Sequence, residues 1–171
     1  MQTEFTTDVK LNDKQYVALM RLYNYGLAQA AVPVRTLRWL QSKGLAIENP
    51  LEREHFPVTD LGCEVLEQIH EVSRERARKM TTMLARIYHE AQAKGIDFRF
   101  SAVRCDPWTR KYYATTAAFN PWGPGGKREL AFTSQTEAVY PASAEALYLG
   151  DTVYQAKAAL ITLMTQVRSA R

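Results

Sequence analysis

Cysteine is scarce in this chain: Cys63 and Cys105 are the only two in 171 residues. They fall in segments of different character, which argues against the disulfide framework of a small secreted domain and leaves two reduced, buried thiols as the expectation. Long apolar runs are also missing, since nothing approaches the roughly 18 consecutive apolar residues of a membrane span. The opening MQTEFTTDVK has neither the basic region nor the apolar stretch of a secretion signal. A water-soluble chain in the cytoplasm with no membrane partner is therefore expected. Histidine is limited to His55, His70 and His89, at neither metal-ligand spacing nor beside a cysteine pair, so no metal site is expected. The Gly-x-Ser-x-Gly elbow, His-Glu-x-x-His and the dinucleotide fingerprint are all absent. Gly123-Pro124-Gly125-Gly126-Lys127 comes closest to a phosphate-cradling loop and fails. Pro121 stands where the first glycine belongs, Arg128 where Ser or Thr should bind magnesium, and a strand pattern follows instead of a helix. Asp97 and Asp106 flank an expected strand, as carboxylates on many surfaces do. No enzyme and no cofactor is expected.

What is present is enough apolar content, 46%, to bury a core in a chain of one large or two small domains. The net charge of +4 suits a polyanionic partner, but it is unevenly spread. Residues 1–72 carry seven Lys/Arg and ten Asp/Glu, residues 73–94 six and two, and residues 95–171 nine and six.

Asn12-Asp13 reads as a capped helix start, with Tyr16, Leu19, Met20, Leu22 and Tyr23 at helical spacing up to Gly26. Leu27 to Ala31 reads as a short second helical piece. Pro33 opens a third helix, VRTLRWLQSKG, that places Leu37 and Leu40 inward and Arg35, Arg38, Trp39 and Ser42 outward, with Gly44 as its C-terminal cap. Leu45-Ala46-Ile47, the polar ENPLEREH and Phe56-Pro57-Val58 predict a two-stranded ribbon. Thr59-Asp60 then caps a helical pattern marked by Leu61, Val65, Ile69, Val72, Met80, Leu84, Ile87 and Ala91 that runs to Gly95. About 30 residues is long for a globular helix, so a break near Ser73 or pairing with a partner helix is expected. Two-residue alternation then predicts three antiparallel strands, around Phe98 to Ala102, Tyr112 to Ala118 and Leu130 to Ser134. Ala144-Glu145-Ala146-Leu147 reads as a short helical piece, and a last helix begins at Asp151 or Thr152. The fold class expected is α+β: an N-terminal winged helix-turn-helix over 1–72, a connecting helix over 73–95, and a small domain over 96–171 with a three-stranded antiparallel sheet and helices.

The stretch LRWLQSKGLAIENPLEREHFPVTDLGCEVLEQI resembles the winged-helix transcription regulators, including the MarR-like group, across about a third of the chain. Leu40-Gln41-Ser42-Lys43-Gly44-Leu45 matches the end of their recognition helix, and Val58-Thr59-Asp60-Leu61-Gly62 the start of the helix after the wing. The resemblance implies DNA binding, with Val34, Arg35, Thr36, Arg38 and Trp39 near bases or phosphates in the major groove, and Lys43 and the wing residue Arg53 near the backbone. The wing departs from the family: Glu48, Glu52 and Glu54 surround Arg53 and would repel phosphate, so it suits protein contact or ion pairs with Arg74 to Lys79. Secondary nucleic-acid contacts are placed at Arg74, Arg78, Lys79, Arg110, Lys111, Lys127 and Arg128.

Each of these features also has a plainer reading. Arg35 and Arg38 can solvate an amphipathic helix, Trp39 can pack on the ribbon, and the run from Arg74 to Lys79 can be a water-facing helix side. The aromatics Trp108, Tyr112, Tyr113, Phe119 and Trp122, with basic residues interleaved, suit stacked bases or simply a sheet's packing face. The partner expected first is duplex DNA, bound by a dimer whose interface the stripe from Leu61 to Ala91 would supply. Helix, three strands and helix after Ser73 is also the order of double-stranded RNA-binding domains, and Gln155-Ala156-Lys157-Ala158-Ala159 is similar to the face of their last helix. Their basic opening pair is replaced by Thr152-Val153-Tyr154. A third reading makes both parts protein-interaction modules, an adaptor or inhibitor, on the strength of the acidic N-terminal part.

Overall fold

Three of the four described helices start at side chains, Asn12, Thr59 and Thr152, that take the place of missing backbone partners. A computed structural model describes residues 8–25, 32–52, 55–119 and 146–170. They form four helices and a three-stranded antiparallel sheet, an α+β chain that divides into two compact units, 1–72 and 73–171.

In the first unit, helix α1 (Asp13–Tyr25) opens with a reciprocal pair. Asn12 Oδ1 accepts from the Gln15 amide and Gln15 Oε1 accepts from the Asn12 amide, both at 2.9 Å. Its buried side carries Tyr16, Leu19, Met20 and Leu22. Helix α2 (Val34–Ser42) follows Pro33, whose φ of −59° suits the cap position, and buries Leu37 and Leu40. Gly44, at φ +69°, ends it: the Gly44 amide reaches Gln41 O at 2.9 Å and the Leu45 amide reaches Leu40 O at 2.9 Å. That closure occupies two carbonyls the helix would otherwise leave open. The short second helical piece expected at Leu27 to Ala31 lies outside the described residues.

The ribbon from Leu45 to Thr59 doubles back through the bridges Ala46↔Val58 and Asn49↔Glu52. Backbone bonds from Ile47 to Pro57 O (3.1 Å), Asn49 to His55 O (2.9 Å) and Thr59 to Leu45 O (3.0 Å) hold its arms together. Thr59 joins ribbon to helix: its Oγ1 donates to Gly44 O and accepts from the Gly62 amide at 3.1 Å. Gly62 is demanded by a close approach, because a Cβ there would stand 2.3 Å from Leu45 O and 2.5 Å from Val58 Cγ1.

Helix α3 (Asp60–Ala93) is continuous for 34 residues, with no break at Ser73. Val65 and Leu66 are buried in the first unit, and Tyr16 Oη and His70 Nε2 lie 2.9 Å apart there. Met80, Leu84, Ile87 and Ala91 are fully buried in the core of the second unit, together with Phe98, Phe100, Val103, Ala114, Leu149 and Leu160. The stripe expected to serve a dimer is therefore largely consumed within the chain's own core.

Strands β1 (Phe100–Cys105), β2 (Tyr112–Thr116) and β3 (Ala146–Gly150) pair antiparallel in that order. Val103 faces Ala114, Arg104 faces Tyr113, and Tyr113 faces Tyr148. The β1–β2 turn places Arg110 at φ +59°, the one non-glycine in the left-handed region among the described residues. Its amide reaches Asp106 O at 2.7 Å, and Asp106 Oδ1 accepts from the Trp108 amide at 2.8 Å. The third strand differs from expectation. Ala146 and Leu147, read as part of a helical piece, belong to β3, while Leu130 to Ser134 lies outside the described residues. Alanine, glutamate and leucine favour helix locally, but pairing with β2 buries Ala146 and Leu149, and tertiary burial overrides propensity. Helix α4 (Val153–Ser169) starts at Thr152, whose Oγ1 accepts from the Gln155 amide. It ends under Lys94, whose Nζ donates to the carbonyls of Val167, Arg168 and Ala170. Among the described residues no helix is long and apolar enough to cross a membrane.

Candidate nucleic-acid interface

Because Leu37 and Leu40 fix which side of α2 turns inward, the opposite side is set without further choice. It carries Val34, Arg35, Arg38 and Lys43 in the open, with Thr36 and Trp39 half-buried at its margins. Val34 is 64% exposed, unusual for a valine on a short helix whose other apolar residues are covered. Trp39 keeps its ring close to the helix end, where the Lys43 ammonium lies 5.9 Å from the ring centroid and Ser42 Oγ donates to Trp39 O at 2.7 Å. Neither Arg35 nor Arg38 has a carboxylate partner among the described residues, and each guanidinium carries five N–H donors that can serve an anionic ligand.

The ribbon has a different chemistry. Glu48 and Glu52 are exposed, and Glu52 Oε2 lies 3.6 Å from His55 Nδ1. Leu51, at the turn, is 91% exposed, and Ile47 is 55% exposed. Arg53 and Glu54 lie outside the described residues. Sequence reasoning passed over Leu51 and Ile47; the available signal was a lone leucine after Pro50 in an otherwise polar turn.

The remaining basic residues separate into distinct groups. Arg78 donates to Glu75 at 2.6 Å, and Lys79 lies 3.8 Å from the same carboxylate, so these two cations share one local anion. Lys111 lies 3.5 Å from Asp151 and 5.7 Å from the centroid of Tyr148, whose hydroxyl donates to Asp151. These contacts hold the Asp151 carboxyl below its usual range, the Tyr148 hydrogen bond first, and burial together with Asp151 pushes the Tyr148 phenol up to about 12. Arg110 is half-buried in its strained turn and makes side-chain interactions of its own. Lys127 and Arg128 lie outside the described residues.

Arg74 and Arg78 do share one feature, a cavity of about 500 Å³ within the second unit. Its helical wall is Arg74, Ala77, Arg78 and Thr81, and its strand wall runs from Ala102 to Cys105 with Arg104 among them. Asp106 and Pro107 close one end, and Tyr113, Thr115 and Phe119 line it from the sheet side. Thr81 stitches the two walls together: its Oγ1 accepts from the Val103 amide at 2.9 Å and donates to Ala77 O at 3.0 Å. Arg104 Nε donates to Thr115 Oγ1 at 3.3 Å. Burial pushes the Cys105 thiol up, and burial followed by the Asp106 charge pushes the Tyr113 phenol up to about 12, so both stay neutral near pH 7. The pairing of Arg104 opposite Tyr113 was invisible in the sequence. Only the i, i+4 spacing of Arg74 and Arg78 around the small Ala77 hinted at a helix flank with room beside it. Among the described residues no group of His, Cys, Asp or Glu is arranged to hold a metal ion.

Comparison of the chain with protein-family models, with curated proteins and with solved structures finds no match.

Proposed function

We propose that residues 1–72 form a winged-helix module that binds duplex DNA through α2, and that the protein is a cytoplasmic, non-enzymatic transcriptional regulator. One observation carries this reading: Arg35 and Arg38 stand exposed on one face of α2, without carboxylate partners among the described residues, in a unit that is otherwise acidic. Arginine in that position can take a guanine edge bidentately or hold phosphates, and exposed Val34 suits a thymine methyl group. Thr36, Trp39 and Lys43 extend the same face.

The test is fluorescence anisotropy with a random-sequence duplex across a salt series. The expected result is a steep fall of affinity with salt, and for Arg35→Ala/Arg38→Ala a slope smaller by about 2 with affinity lower by about 10- to 100-fold. Submillimolar binding that is absent, or that the double variant leaves intact, would remove α2 as the contact.

A second reading is favoured by the ribbon. Exposed Leu51 and Ile47, each next to a glutamate (Glu52 and Glu48), suit a protein surface with an apolar centre and a basic rim better than they suit phosphate. In that case the first unit is an interaction scaffold, and Leu51→Asp would abolish partner binding while leaving any DNA affinity unchanged. The RNA reading has the element order from α3 to α4 in its favour, but the start of α4 offers Thr152, Val153 and Tyr154 in place of a basic grip. A matched duplex RNA in the same titration decides it.

A further inference from the structure

The cavity in the second unit is large enough for a small ligand, since such sites commonly span about 300–1,000 Å³. Three of its lining residues are arginines, Arg74 and Arg78 from α3 and Arg104 from β1, against one carboxylate, Asp106. Asp106 is already engaged by the Trp108 amide at 2.8 Å. Glu75 stands outside the lining, 2.6 Å from Arg78 and 3.8 Å from Lys79, so it offsets part of the Arg78 charge, and the lining still holds more cationic than anionic side chains. Arg104 uses its Nε on Thr115 and has no carboxylate partner among the described residues. Arginines drawn from two different elements suit a tetrahedral oxyanion with three acceptor oxygens, whereas a lone carboxylate would satisfy one fork. The rest of the lining, Ala77, Ala102, Val103, Pro107 and Phe119, is apolar, and the neutral Cys105 thiol adds to it.

We propose that this cavity binds a small phosphate monoester with a flat apolar body, of the class of a nucleoside monophosphate, with Arg74, Arg78 and Arg104 holding the dianion and the apolar wall taking the ring. The site lies wholly within residues 73–171 and uses none of the α2 residues, so it stands or falls separately from the DNA reading.

Equilibrium dialysis of the full chain against labelled AMP, with phenyl phosphate, adenosine and inorganic phosphate as competitors, tests it. Saturable micromolar binding of AMP is expected, with phenyl phosphate competing and adenosine at least tenfold weaker. Arg104→Gln and Arg78→Gln should each weaken binding by about tenfold, and Ala102→Leu, which narrows the cavity without touching charge, should do so too. Arg35→Ala/Arg38→Ala should leave it unchanged, and near-ultraviolet circular dichroism identifies any variant that fails to fold. Adenosine binding as tightly as AMP, AMP binding that tracks the α2 variant instead of Arg104 and Arg78, or no saturable binding below millimolar AMP would each overturn the proposal.

Discussion

The second unit and helix α2 of the first differ in what surrounds many of their cations. In residues 73–171 cations recur beside carboxylates: Arg78 and Lys79 on Glu75, Arg99 on Asp97, Lys111 on Asp151 and Arg168 on Glu90, the last at 2.7 Å. In α2 of the first unit, Arg35 and Arg38 have no such partner among the described residues although that unit holds the chain's acidic surplus. Nearby carboxylates blunt a cation's pull on an outside anion, while an unpaired guanidinium on a rigid helix keeps it. Counting basic residues thus points to the second unit, while asking which of them lack a carboxylate partner among the described residues adds Arg35 and Arg38 of α2, and Arg104, to the candidates.

The cores differ as well, and the sharpest way to separate the units is through them. Leu84 is fully buried among sheet and helix residues of the second unit. Leu84→Ala should cost about 2–5 kcal/mol, read by urea denaturation. Because the chain divides into two compact units, the loss is expected in one transition, with DNA affinity measured below that transition unchanged. Gly62→Ala attacks the first unit instead. A methyl group driven against Leu45 O and Val58 should cost about 1–3 kcal/mol despite alanine's better helix propensity, and should lower DNA affinity by displacing the ribbon from α2. An alanine that stabilises the protein would show that the close approach relaxes freely.

Smaller effects sharpen the charge contrast. Lys111→Met, removing a cation already beside Asp151, should change DNA affinity by less than about twofold, against the large loss expected for the α2 double variant. A tenfold loss would place the β1–β2 turn in the interface and dissolve the contrast. The smallest effect belongs to Glu90, whose carboxyl is held below its usual range by its hydrogen bond from Arg168. A depressed folded-state value means that this contribution is present above the unfolded value and lost as pH falls through the folded one. Glu90→Gln should therefore lower the melting temperature slightly at pH 7, with the effect fading as pH falls below the usual carboxylate range. A loss that persists in acid would assign it to packing.

What could be read from the sequence was what local chemistry decides. Asn12, Gly44, Gly95 and Thr152 each act on backbone groups within a few residues, as Thr59 does on the Gly62 amide, and for these local contacts the residue type specified the turn or cap. The outward face of α2 was legible because Leu37 and Leu40 fix its phase. Ala146 and Leu147 were misread because their local preference is helical and their partner strand lies about 30 residues away. The continuity of α3 through Ser73 was equally hidden, since the apolar spacing on either side fits both one helix and two. The cavity depended on strand register, which places Arg104 opposite Tyr113, and no spacing rule reports that.

Thr81 carries a consequence beyond the cavity wall. Among the described residues β1 pairs with β2 on one side only, so its other side is the kind of hydrogen-bonding margin on which foreign strands grow. At the middle of that margin the Val103 amide is already taken by the Thr81 hydroxyl, with the Val103 carbonyl 3.5 Å from the same oxygen. A single side chain thus imitates a neighbouring strand for one residue, and a stray chain seeking to lengthen the sheet would first have to evict it. The same contact that shapes a pocket also acts as a guard against fibre growth.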